Sequence, residues 1–322
     1  RWRIHTRRSG QAGDAGMRVA VIGLGRMGWP IAGHLAHLEH GHEVKVFDIA
    51  NAASTAWADE HAGEAAESVA DAVGQADVII SSLPADKQMQ VVVDEALAHI
   101  GTGTIWLDHS TISATGARRF ADELSSRGAH FLDAPVSGGV DGARNGSLTV
   151  MVGGDEDAFV RAEPTMAAYA GRVTHMGPSG AGQITKMTNQ ICVVGVAQAL
   201  AEGLDFAINA GLDPEKVVHV MTQGSSTSWE MENRAAQMIA GEYDFGFSTT
   251  LMRKDVGLVL DEASAMNVSL PVTALVAQFL ADVHALGGAD WDWCSLMERQ
   301  RRLSSPGNRS APDDSGEPSP AG

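Results

Sequence analysis

Apolar and polar positions follow two regimes along this chain. Up to about residue 176, apolar runs of four or five residues alternate with longer segments of helical spacing; beyond Gly177 the pattern is helical throughout. The short runs are Arg18-Val-Ala-Val-Ile22, Glu43-Val-Lys-Val-Phe47, Asp77-Val-Ile-Ile-Ser81, Thr104-Ile-Trp-Leu-Asp108 and Ala129-His-Phe-Leu-Asp133. Their length and β-branched content predict strands. Helical runs over 31–38, 86–99 and 113–127 lie between them. Leu148–Val152 and Arg172–Met176 predict two more strands around a helix over 155–169, completing the sheet. Strands alternating with helices imply a doubly wound parallel sheet with right-handed crossovers, so the fold class is α/β with an all-helical second part.

A long helix is expected from about Gly182 to Ala210, stopped by Gly211 as its C′ residue. Asp213-Pro214 starts the next, and further helical patterns cover 228–240, 253–266, 271–286 and 293–302. No internal repeat is present. Residues 1–16 carry Arg1, Arg3, Arg7 and Arg8 without apolar periodicity, and Met17 is read as the biological start; an organelle transit peptide is the alternative. Residues 304–322, rich in Ser, Pro, Gly, Asp and Glu, are expected to be a disordered tail. The expected domains are thus an extension (1–16), a sheet domain (17–178), a helical substrate and oligomerisation domain (179–303) and the tail.

The length of 322 residues agrees with two domains. A net charge of −17 argues against nucleic acid as the main partner, while leaving room for an anionic ligand in a local basic pocket. Cys192 and Cys294, both amid apolar neighbours, form neither a disulfide framework nor a zinc signature; a reduced cytoplasmic protein with buried structural thiols is expected. No uninterrupted apolar stretch reaches membrane-spanning length, so no membrane partner is expected. His34, His37 and His40, spaced by three on the first helix, lack a carboxylate or cysteine shell and read as a solvated face; no metal is expected.

Candidate chemistry begins at Gly23-Leu24-Gly25-Arg26-Met27-Gly28, a G-x-G-x-x-G between strand and helix. The first glycine permits the turn, the second lets a pyrophosphate reach the backbone, and the third allows close helix–strand packing. The second strand ends at Asp48, placed to bond the ribose hydroxyls of a dinucleotide and repel a 2′-phosphate. No arginine follows within 49–53, so NAD is favoured over NADP. These features make the first domain a Rossmann domain. The loops Ser82-Leu83-Pro84, His109-Ser110-Thr111 and Ala134–Gly139 follow strand ends, where such sheets bind ligands; ordinary turn chemistry is the alternative. Ser137-Gly138-Gly139 exposes backbone amides beside a hydroxyl, which suits a carboxylate or a simple tight turn.

Lys186 lies in Gly177-Pro-Ser-Gly-Ala-Gly-Gln-Ile-Thr-Lys-Met-Thr-Asn-Gln190, at the head of a long apolar helix. Alone it reads as a surface lysine; the rest of the chain reverses that. A desolvated lysine trades its proton nearer neutrality, and Asn189 and Gln190, at i+3 and i+4, share its face. Lys254-Asp255 reads by itself as a surface ion pair, with a cleft-facing pair as the alternative.

Four segments together resemble the β-hydroxyacid dehydrogenases, a family that includes 3-hydroxyisobutyrate dehydrogenase and tartronate semialdehyde (2-hydroxy-3-oxopropionate) reductase. They are Gly23–Gly28, Asp133–Gly139, Gly180–Lys186 with Asn189, and Lys254-Asp255, in family order over 17–302. The resemblance implies an NAD-dependent oxidoreductase acting on a small 3-hydroxy acid, as a homodimer or homotetramer. It implies that Lys186 is the acid/base, assisted by Asn189 or Gln190, and that Ser137, Gly138 and Gly139 hold the substrate carboxylate. Cofactor contacts are implied for Leu83, Pro84, Gln88, Thr111 and Lys254. Many members carry asparagine where Gln190 stands, so the owner of the amide role is open; the reductases look similar here. The chain is short for a 6-phosphogluconate dehydrogenase, and Lys186 separates it from the imine reductases. A silent NAD-binding interaction module is the reading from another class.

Overall fold

The computed structural model describes residues 16–37 and 39–304. Leu38, the expected leader up to residue 15 and the expected tail from residue 305 lie outside the described residues. The chain divides into two compact units, with the boundary between Gln183 and Ile184.

The first unit opens β1 (Arg18–Ile22), α1 (Gly28–Leu35), β2 (Glu43–Phe47), α2 (Asn51–Glu60), β3 (Glu64–Ala65) and α3 (Val69–Val73). It continues β4 (Val78–Ser81), α4 (Asp86–Ala96), β5 (Ile105–Asp108), α5 (Ala114–Ser125) and β6 (His130–Asp133). It closes with β7 (Val136–Ser137), α6 (Gly139–Arg144), β8 (Leu148–Gly153), α7 (Glu156–Met166) and β9 (Ala170–Gly177). Strand order is β3-β2-β1-β4-β5-β6-β8-β7, with β9 paired to β8. Strands β1 to β6 are parallel, as expected for a doubly wound sheet. The far edge departs from the all-parallel expectation: β8 runs antiparallel to β6 and β7, because β7 and α6 turn the chain back before β8 enters.

Period-two alternation sorts the strand side chains onto two faces. Val19 and Val21 of β1 pack with Ile31, Leu35 and Trp57; Ala20 and Ile22 pack with Val69, Val73 and Phe120 on the other. Helix α2 escaped the sequence pattern because it buries only Ser54 and Trp57 of its ten residues. The first helix ends at Leu35, short of the expected 38, which breaks up the histidine series. His34 is half-buried, its Nε2 donating to the carbonyls of Ala143 and Arg144 at 3.0 Å each, whereas His37 and His40 lie beyond the helix. The expected solvated histidine face does not form.

Helix α8 (Ala181–Asn209) starts in the first unit and continues into the second. The second unit adds α9 (Pro214–Met221), α10 (Trp229–Ala240), α11 (Thr249–Ala265), α12 (Pro271–Ala285), a turn of 3-10 helix at Trp293–Ser295 and α13 (Leu296–Ser304). Gly211, at φ 79°, closes α8. Its N–H donates to Ile208 at 3.0 Å and that of Leu212 to Ala207 at 3.0 Å, the double bond of a Schellman motif. Asp213 caps α9 through the amides of Glu215 and Lys216, with Pro214 at the first helical position.

Helix α8 and the two cysteines bear on what the sequence led one to expect. At 29 residues, α8 is long and apolar enough by composition to cross a membrane. Val194, Ala197, Leu200, Ala201 and Leu204 nevertheless pack against Met231, Met238, Val256, Val276 and Leu280, the behaviour of a core helix. Cys192 is exposed, not buried; Cys294 alone is buried, and that burial pushes its thiol pKa up.

Gly182 sits where helix backbone meets sheet backbone. A Cβ there would overlap the carbonyl oxygens of Asp133 and Met151. Gly182→Ala therefore destabilises by about 1–3 kcal/mol through overpacking, despite alanine's better helix propensity. A urea midpoint equal to or above that of the wild type would contradict this packing.

Candidate active site

The site of the first unit grows from the carboxyl ends of its central strands. Strand β1 lies between β2 and β4, so the connections leaving β1 and β4 diverge and open a crevice at the switch point. Gly23, at φ 91°, leaves β1, and its N–H donates to the Phe47 carbonyl at 2.8 Å. A Cβ on Gly23 would overlap the Ser82 carbonyl, and one on Gly28 would overlap the Gly23 carbonyl. A Cβ on Gly25 would meet nothing within 4 Å. The outer two glycines thus serve internal packing, and the middle one leaves space beside the first turn of α1. Leu24 is buried, while Gly25 and Arg26 are exposed and Met27 is half-buried. Asp48, just past β2, accepts from the Leu24 amide at 2.8 Å and from the Ala50 amide at 2.9 Å. The half-buried carboxylate is thereby fixed against the glycine loop.

The loops after β4 and β5 are tied by a buried polar network. Ser81 and Ser110 hydroxyls donate to Asp108 Oδ1 at 2.7 and 2.5 Å, and the Trp106 indole donates to Ser81 Oγ at 2.8 Å. The Leu83 amide donates to Ser110 Oγ at 2.8 Å. Ser113, capping α5, bonds Asp86 in the first turn of α4. These bonds set the backbone of Leu83, Pro84 and Thr111; Gln88 is exposed on the first turn of α4. Burial pushes the Asp108 carboxyl up to about 7, the serine hydroxyls oppose this, and Asp133 adds to it. Asp108 Oδ2 has no partner among the described residues. His109 is held neutral, its pKa brought down to about 4 by burial. Its Nδ1 donates to Ala134 at 2.6 Å and its Nε2 accepts from the Tyr169 hydroxyl at 2.8 Å.

Beyond β6 the backbone turns sharply at Ser137-Gly138-Gly139. Gly138 and Gly139 adopt φ of 119° and 62°, both exposed, beside a half-buried Ser137 that pairs with Thr149. Both glycines are in the left-handed region, which side chains resist. At the base of this turn, Asp133 accepts from the amides of Gly180 at 2.7 Å and Gln183 at 2.9 Å, the opening amides of α8. Burial pushes the Asp133 carboxyl up to about 6 against these bonds.

The second unit carries a second cluster. Lys186 is half-buried, and its Nζ has no hydrogen-bond partner among the described residues. Burial lowers its pKa from the ordinary lysine value; Asp255 opposes the shift and Lys254 adds to it. Asn189 Nδ2 donates to Gln190 Oε1 at 2.9 Å, and Gln190 Nε2 donates to Asp255 Oδ2 at 2.7 Å. Lys254 Nζ lies 3.1 Å from Asp255 Oδ1, with side-chain exposures of 26% and 1%. Lys254-Asp255 is therefore no surface ion pair: Asp255 is buried and joined to the amide chain below Lys186. Asp108 and Gln183 were missed as site residues; apolar strands ending in an acid were the signal for Asp108. None of the described residues forms a cluster of three or more potential metal ligands.

Known proteins resemble both units of the chain. Residues 18–177 match the family model for the NAD binding domain of 6-phosphogluconate dehydrogenase. Residues 180–299 match the model described as NAD-binding of NADP-dependent 3-hydroxyisobutyrate dehydrogenase. An uncharacterized oxidoreductase of Shewanella frigidimarina is 46% identical, over 89% of this chain and 99% of that protein. The NAD-dependent L-serine dehydrogenase of Pseudomonas aeruginosa is 37% identical, over 87% and 97%. The solved Mycobacterium tuberculosis 3-hydroxyisobutyrate dehydrogenase with L-serine is 34% identical, with TM-score 0.82, over 89% and 99%. The space at Gly25 and the fixed Asp48 carboxylate fit a nicotinamide dinucleotide.

Asp48→Ser removes the acid while keeping a hydroxyl. It is expected to raise KM for NAD about tenfold, as for loss of a charged hydrogen bond, and to cut the NAD-to-NADP ratio of kcat/KM at least as much. An unchanged ratio in steady-state assays would show that Asp48 does not discriminate between the two dinucleotides.

Proposed function

Because this chain belongs to the β-hydroxyacid dehydrogenase family, we propose that it moves a hydride between NAD and a small 3-hydroxy acid, with Lys186 as general acid and base. The chain is an oxidoreductase of the class acting on CH–OH groups. The observation carrying the proposal is Lys186 itself: a half-buried amine with a lowered pKa and no hydrogen-bond partner among the described residues.

The nicotinamide ring, when bound, supplies the hydride acceptor or donor. Residues of the glycine loop, Leu83, Pro84, Gln88, Thr111 and Lys254 would hold the dinucleotide, with Asp48 accepting from a ribose hydroxyl. A 2′-phosphate would meet the Asp48 carboxylate with no arginine in 49–53 to offset it, which supports NAD over NADP. Ser137 Oγ and the amides of Gly138 and Gly139 bind the substrate carboxylate. In oxidation, neutral Lys186 Nζ accepts the hydroxyl proton while the carbinol carbon loses its hydride; in reduction, charged Lys186 returns the proton to the carbonyl oxygen. Gln190 spends both ends of its amide on Asn189 and Asp255, so Asn189 orients the substrate oxygen and Gln190 steadies Asn189. A homodimer or homotetramer in the cytoplasm is part of this proposal; exposed Phe206, Leu212, Val272 and Leu275 of the helical unit support the association. The Asn189-Gln190 order favours one second reading, reduction of 2-hydroxy-3-oxopropionate.

The test is turnover, followed by NADH absorbance, on 3-hydroxyisobutyrate, L-serine, glycerate, 3-hydroxypropionate and 2-hydroxy-3-oxopropionate, each with NAD(H) and NADP(H). One short 3-hydroxy acid is expected to turn over with NAD, and Lys186→Ala to lose about 10²–10⁴-fold in kcat. Fastest turnover of 2-hydroxy-3-oxopropionate would select the second reading. Near-full activity of Lys186→Ala would remove the lysine from the mechanism.

A further inference from the structure

Gln183 is a fully buried amide whose side-chain oxygen and nitrogen both have partners. Its Oε1 accepts from the Ile112 amide at 3.2 Å and its Nε2 donates to the Ser110 carbonyl at 2.8 Å. Its own N–H donates to Asp133 at 2.9 Å. The side chain therefore grips the residues on either side of Thr111. Ser110 carries the grip further, since its hydroxyl accepts from the Leu83 amide at 2.8 Å. One side chain thus fixes the loop after β5 directly and the loop after β4 through one residue. It is 0% exposed, so it touches no ligand. A leucine of similar bulk would fill the space without needing partners; a buried amide there specifies geometry.

We propose that Gln183 is a positioning residue for the dinucleotide: it holds the loops bearing Leu83, Pro84 and Thr111 in the shape that binds it. The inference rests on the reading of those loops as dinucleotide-facing. Loss of the grip lets both loops relax, so dinucleotide binding weakens while the chemistry at Lys186 is untouched. Glutamate separates this role from packing. Ionised, it faces the Ser110 carbonyl with two acceptors; protonated, it has an O–H where the glutamine has an N–H and restores both bonds. Burial raises a carboxyl pKa, so mild acid suffices to protonate it.

The experiment is NADH binding by fluorescence at pH 5.5 and 8.5 for the wild type, Gln183→Leu and Gln183→Glu, each Kd divided by the wild-type value at the same pH. Gln183→Leu is expected to bind about tenfold more weakly at both pH values. Gln183→Glu is expected to match that loss at pH 8.5 and to return to within about threefold of wild type at pH 5.5. Wild-type-like binding by Gln183→Leu, or a Gln183→Glu loss at pH 8.5 that persists undiminished at pH 5.5, overturns the inference. Should Gln183→Leu fail to fold by circular dichroism, Gln183→Glu decides alone. If the wild type binds no NADH, the dehydrogenase reading falls and this inference with it; if the wild type binds and neither variant differs, only this inference falls.

Discussion

The carboxylate of Asp133 is the constraint on which both the sheet edge and the long helix depend. The first amides of a helix have no partners within it, and a buried helix start must find acceptors elsewhere. Asp133 supplies them, taking the amides of Gly180 and Gln183 from the last residue of β6. Its charge sits where the helix dipole favours an anion. Burial nonetheless wins over these bonds, since the carboxyl is pushed up to about 6. A shift of roughly two pKa units costs on the order of 3 kcal/mol when the group is ionised at neutral pH. For an acid raised in the folded state, this loss sets in as pH rises from about 4 towards 6. Stability is given up to fix the helix start.

That fixed start orders the chemistry along the chain. Asp133 precedes the Ser137-Gly138-Gly139 turn, Gln183 grips the loop around Thr111, and Lys186 follows Gln183 on the same helix. Ser137 thus follows Asp133 by four positions, and Gln183, whose amide Asp133 accepts, lies three positions before Lys186 on α8. Asp108 and Asp133 are partners in the β5–β6 register, and Asp133 adds to the burial that pushes the Asp108 carboxyl up. Two acids and a neutral His109 are buried at the strand ends, where a sheet built for stability alone would be apolar.

Much of this was legible in the sequence because its causes are local. The glycine loop, its flanking strand and helix, Asp48, and the closure of α8 at Gly211 all follow from nearest-neighbour geometry. What the sequence hid came from long-range placement. Lys254-Asp255 looks like a surface pair until Gln190, 65 positions away, is brought against Asp255. The adjacency of Asp108 and Asp133 needs the strand order, and the grip of Gln183 spans 71 to 73 positions. The antiparallel β8 was hidden by the two-residue β7, too short to show alternation. Cys192 was misjudged because apolar neighbours in a helix share its sequence, not its face.

The most direct test of the account is the pH dependence of kcat/KM for hydroxy-acid oxidation. With neutral lysine as the proposed base, the rate should rise with pH to a plateau, with a midpoint below the ordinary lysine value of about 10.4. The reduction direction should show the mirror image, falling as the lysine loses its proton. A profile flat in both directions, or a rise that persists with the same midpoint in Lys186→Arg, would contradict the assignment of Lys186 as the acid and base.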